Sequence, residues 1–161
     1  MENDIAVYVS ALEDSLRSKE VVLRKLLELT EQQGKVLQKE MDTEEFDRLM
    51  QEKEPCIARV QELDKGFDNL FQRIGTALKA NKEQYRPRIL QMQDTIRQIT
   101  DLSVKIQTAE RHNKELFTDF VSGKRKEIRD FKKSNKTAVS YYQNMANQHH
   151  EWQTYFLDKK K

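Results

Sequence analysis

Metal ligation and thiol chemistry would have to be built from His112, His149, His150 and Cys56, the chain's three histidines and its one cysteine. His149 and His150 are sequence neighbours, so on a helix they point about 100° apart and cannot share an ion as an i, i+4 pair does. Cys56 falls on an apolar stripe, where a thiol is a structural side chain rather than a nucleophile, and a single cysteine closes no internal disulfide. Four glycines leave no glycine-rich phosphate loop. Paired carboxylates such as Glu44 and Glu45 arise on any helical surface of which 35% of residues are charged. The expectation is no enzyme, with no catalytic, cofactor-binding or metal-ligating residue.

The other chemistry lies near the C-terminal end. Residues 124–136 hold seven Lys and Arg, and aromatics follow. Lysines neutralise phosphates and aromatic faces stack on unpaired bases, so nucleic acid is a candidate partner. Glu127, Asp130 and the absence of a recognised reader motif argue against it, and a solvated helix face explains the same charges. The apolar face opposite the lysines is too thin for stable membrane insertion. Helix-in-groove recognition fits better: Tyr141, Tyr142, Met145, Trp152, Tyr155 and Phe156 are the large, adaptable side chains that partner surfaces favour. On residue types alone they serve equally well to close the protein's own core.

The elements that must position these residues are helices. Of 161 residues, 37% are hydrophobic, and two prolines supply almost no turn chemistry. That composition excludes most β-sandwiches, barrels and Rossmann-type enzymes. The stretch 4–41 repeats apolar residues three or four apart at Ile5, Val9, Leu12, Leu16, Leu23, Leu26, Leu27, Leu37 and Met41, which predicts one long helix. Asp42, with Glu45 three residues on, marks a reversal and the cap of a second helix over 44–79. Its stripe has a seven-residue repeat: Phe46, Leu49, Lys53, Cys56, Val60, Leu63, Phe67, Leu70, Ile74 and Ala77. Only Lys53 is polar. Pro55 inside it predicts a kink or break near Lys53. The stretch 80–86 before Pro87 reads either as a connector, with Pro87 in the first turn of a third helix over 86–121, or as continuous helix; the third stripe has Ile89, Met92, Ile96, Ile99, Leu102, Ile106, Ala109, Leu116, Phe117 and Phe120 on one face and Glu110 and Asn113 diluting its middle.

After Val121, Ser122 and Gly123 change the character of the chain. Residues 1–121 carry 19 Lys and Arg against 23 Asp and Glu, whereas 122–161 carry ten against four. The sequence therefore reads as all-α: an elongated antiparallel bundle of three to four long, coiled-coil-like helices. Residues 1–121 are the bundle and 122–161 a basic C-terminal helical segment, partner-binding or partly disordered. Glu2 and Asp4 stand where a secretory signal would be basic, and no run approaches the roughly 18 apolar residues of a spanning helix, so the expected compartment is the cytoplasm.

Specific runs carry a resemblance. Leu26-Leu27-Glu28-Leu29-Thr30-Glu31-Gln32-Gln33 is followed by the acidic turn Asp42-Thr43-Glu44-Glu45 and by Leu49-Met50-Gln51-Glu52-Lys53-Glu54-Pro55-Cys56-Ile57. With Leu63-Asp64-Lys65-Gly66-Phe67 and the ending Tyr155-Phe156-Leu157-Asp158-Lys159-Lys160-Lys161, it resembles the FlgN-type flagellar export chaperones (FlgN/FliT-like, of the Gram-positive type) over nearly the whole chain. The resemblance implies a cytosolic type III export chaperone. Such a protein covers the amphipathic terminal helices of hook–filament junction (hook-associated) proteins, prevents their premature assembly and aids delivery to the export gate. Exposed apolar stripes self-associate unless covered, and a chaperone lending a helix face covers them without ATP. The expected contact residues are Phe131, Ala138, Tyr141, Tyr142, Met145 and Trp152. The rival is a structural coiled-coil adaptor or self-associating scaffold, a homodimer through the 46–77 stripe.

Overall fold

A computed structural model describes residues 2–39 and 41–121. They form three helices: α1 over Glu2–Gln38, α2 over Thr43–Ala80 and α3 over Arg86–Val121. Each is about 55 Å long at 1.5 Å per residue. Strands are absent among the described residues.

The turn chemistry explains where the helices stop. Asp42 has an extended backbone (φ −92°, ψ 103°), and its Oδ1 accepts the amides of Glu44 at 3.1 Å and Glu45 at 3.2 Å. That cap satisfies two of the donors that a helix start leaves open. It also ends α1 at Gln38 rather than at the expected Met41, because the residues just before a cap are not helical. At the second turn the Asn81 side chain donates to the Ala77 carbonyl at 2.8 Å. Tyr85, buried, then pins the five-residue connector to the core.

Cross-helix bonds give the directions. Lys19 faces Asp64 and Lys53 faces Gln33, so α2 runs opposite to α1. Arg88 reaches Ser10 and Glu13, and Asn113 reaches Thr30, so α3 runs alongside α1 in the same sense. α1 is the central element: it packs closely along both α2 and α3. α2 and α3 meet through long side chains, among them Phe46 and Phe117 with ring centroids 6.0 Å apart.

Buried positions 9, 12, 16, 19, 23, 26, 30 and 33 of α1 and 92, 96, 99, 103, 106, 110, 113 and 117 of α3 repeat every seven residues, with Leu29, Gln93 and Leu102 buried beside them. In α2 the expected repeat drifts. Ile57 and Leu78 are buried where Cys56 and Ala77 were expected, and these two are only half-buried. An unstrained helix drifts about 20° per heptad, and an eleven-residue spacing (46 to 57, 53 to 64, 64 to 75, 67 to 78) follows it better. Pro55 does not break α2. Pro55 and Gln51, whose carbonyl loses its helical partner, both lie on the solvent side.

Candidate functional site

The described residues bring together a site that the apolar stripes alone did not announce. Toward the end of the bundle that holds the α1–α2 turn, Lys53, fully buried, donates to Gln33 Oε1 of α1 at 2.9 Å and forms an ion pair with Glu110 of α3. The Thr30 hydroxyl lies 2.7 Å from the Leu26 carbonyl and 3.2 Å from Glu110 Oε1. One turn along α3, the Asn113 side chain donates to the Thr30 carbonyl at 2.9 Å. α1 makes room for that amide at Gly34, where an added Cβ would stand 2.9 Å from Asn113 Oδ1. A second buried pair, Lys19 with Asp64, joins α1 to α2, and the neighbouring Ser15 hydroxyl donates to the Leu63 carbonyl at 3.3 Å. A third link, partly exposed, joins Arg88 of α3 to Glu13 and, at 2.8 Å, to Ser10.

Burial governs the electrostatics. It pulls the Lys19 amine from 10.5 down to about 8, against the upward pull of Asp64. It likewise lowers Lys53 against the pull of Glu110, and raises Asp64 against that of Lys19. Desolvation costs more than one partner returns, so these pairs are weak sources of stability. They are strong sources of specificity. Sliding any helix by one heptad, about 10 Å, would leave buried charges facing leucines. The layers thus fix axial register in a molecule whose apolar stripes would tolerate several.

None of this is catalytic geometry. Cys56 is half-buried and burial pushes its thiol up, away from the reactive thiolate. His112 is exposed on α3. Groups of His, Cys, Asp and Glu that could hold a metal are absent among the described residues. No described helix is long and apolar enough to cross a membrane. The expected partner residues Phe131, Ala138, Tyr141, Tyr142, Met145 and Trp152, with His149 and His150, lie outside the described residues. What the structure does define is the end from which that segment departs: Val36, Leu37, Met41, Phe120 and Val121 pack around buried Phe46 and Phe117.

A family model described as FlgN protein matches residues 1–149. The chain belongs to the FlgN family. This is a non-enzymatic family of flagellar export chaperones. No curated protein and no solved structure matches the chain. The match spans all three helices with both of their buried ion pairs, and it continues past Val121. Sequence reasoning had registered Lys53, Glu110 and Asn113 as polar interruptions of apolar stripes without pairing them. Lys19 was visible only as a gap in the α1 stripe between Leu16 and Leu23.

Proposed function

We propose that this FlgN-family chaperone binds the amphipathic terminal helices of hook–filament junction proteins in the cytoplasm, prevents their premature assembly and carries them to the export gate. Residues 1–121 act as the rigid body and 122–161 as the cargo-binding segment, with contacts from Phe131, Ala138, Tyr141, Tyr142, Met145 and Trp152. The observation that carries this reading is the reach of the family match. It extends beyond the three-helix body to residue 149 and so takes in five of these six side chains, Trp152 lying just past its end. The body supports the reading from the other side. Its stripes are spent on internal packing, and the 46–77 stripe that a self-associating scaffold would use is largely buried against α1 and α3.

The test is co-purification of the full chain with each junction protein encoded alongside it, compared with the triple variant Phe131→Ala, Tyr142→Ala, Met145→Ala. The expected result is a stable complex with at least one junction protein, weakened tenfold or more in the variant, since each buried aromatic or methionine anchor contributes more than about 1 kcal/mol. Absence of any complex, with a concentration-dependent dimer in its place, would favour the scaffold.

A further inference from the structure

The buried apolar side chains of the described residues fall into two clusters rather than one continuous core. The larger runs along residues 9–26 of α1, 57–78 of α2 and 92–106 of α3, with Tyr85. The smaller, at the end that holds the α1–α2 turn, is built on Phe46 and Phe117, with half-buried Val36, Leu37, Met41, Phe120 and Val121 around them. Between the two lies the polar layer of Thr30, Gln33, Lys53, Glu110 and Asn113. Leu29 and Leu49, also buried, join neither cluster. Burial thins out along α3 at the same point. Past Glu110 the helix has two buried side chains, Asn113 and Phe117. Asn113 donates to the Thr30 carbonyl beside Gly34, and Phe117 lies against Phe46. Lys114, Glu115, Thr118 and Asp119 face solvent.

We infer that residues 113–121 of α3 form a lid that lifts from α1 and α2 as one unit while the rest of the bundle stays folded. The polar layer decides where the lift stops. Freeing 113–121 breaks the Asn113 bond, whose donor and acceptor then reach water, and uncovers the Phe117 ring. Freeing the turn before it as well would take Glu110 away from Lys53 and leave that amine buried without a carboxylate, which is strongly destabilising. A detached stretch of about two and a half turns is too short to hold helix by itself, so its amides open together. The lifted state bares Phe46 between the end of α1 and the start of α2, and it gives the chain a joint at Glu110. The opening belongs to the cargo-free body and stands whether or not the cargo reading does.

The experiment is residue-resolved amide hydrogen exchange of the full chain by NMR, repeated at urea concentrations below the unfolding transition. The expected result is one shared protection factor for the amides of 114–121, at least tenfold below that of 96–106. It should hardly respond to urea, because lifting the lid exposes little surface. Ile99→Val trims one methyl group from the larger cluster. It should lower protection over 96–106 about fivefold and leave 114–121 unchanged, since Ile99 stays buried when the lid is up. Asn113→Ala should lower protection over 114–121 about fivefold. Equal protection in 96–106 and 114–121, an Ile99→Val effect of the same size on both, or a protection that decays residue by residue toward Val121 as in ordinary end fraying would overturn the inference.

Discussion

Lys19 and Lys53 are both buried lysines facing a carboxylate of another helix, but they hold different amounts of the molecule together. Lys19 joins α1 to α2 through Asp64. Lys53 joins α2 to α1 through Gln33 and to α3 through Glu110, in a layer that Thr30 and Asn113 extend. One layer specifies a pair of helices and the other specifies all three. Since α2 and α3 pack closely on α1 but meet each other through long side chains, the Lys53 layer is where the α2–α3 relation is fixed.

The contrast makes graded predictions. Lys53→Met should be the most damaging single change, about 3–5 kcal/mol by urea denaturation, because it leaves Glu110 buried beside Thr30 without its cation and takes the donor from Gln33. Adding Glu110→Leu should recover most of that loss, and the double variant should show weaker protection from hydrogen exchange at the α2–α3 seam, where register is no longer specified. Lys19→Met should cost less, about 2–3 kcal/mol, since it removes one partner from one helix pair, whereas Lys53 also holds Gln33 and joins three helices. Equal losses at the two sites would erase the distinction. Gly34→Ala should destabilise by about 1 kcal/mol even though alanine favours helix, because the new methyl displaces the Asn113 amide; a gain in stability would show that Asn113 moves freely.

A further effect is on pH. The Lys19 amine is lowered to about 8 in the folded chain from 10.5, so between those values the unfolded chain holds the extra proton. Stability therefore rises with pH across that window. The urea midpoint measured at pH 7.5 and 9.5 should rise more in the unaltered chain than in Lys19→Met, Asp64→Leu; identical slopes would mean that Lys19 does not titrate there.

How much of this the sequence could say depended on whether a feature was local. The Asp42 cap is read from neighbouring residues and governs a helix end directly, whereas 80–86 read equally as connector or continuous helix until the structure showed the turn between Ala80 and Arg86. Lys53 stood out on its stripe, and Glu110 and Asn113 on theirs, because a polar residue at an apolar period is visible in one dimension. Their pairing was not, since it depends on how two turns set the heights of three helices. The seven-residue reading of α2 placed Cys56 and Ala77 inside because the drift of an unsupercoiled helix accumulates only over several turns. Pro55 looked like a break because its position on the solvent side is a property of packing. The expected partner residues were read from the apolar and basic residue types along 124–145, which lie outside the described residues.

The most direct measurement is hydrogen exchange of the full chain with and without the terminal helix of a junction protein. Protection gained within 122–157 while α1 to α3 keep their rates is the expected result. Unchanged exchange in 122–157, with protection gained on the helical body, would contradict a cargo surface in the C-terminal segment.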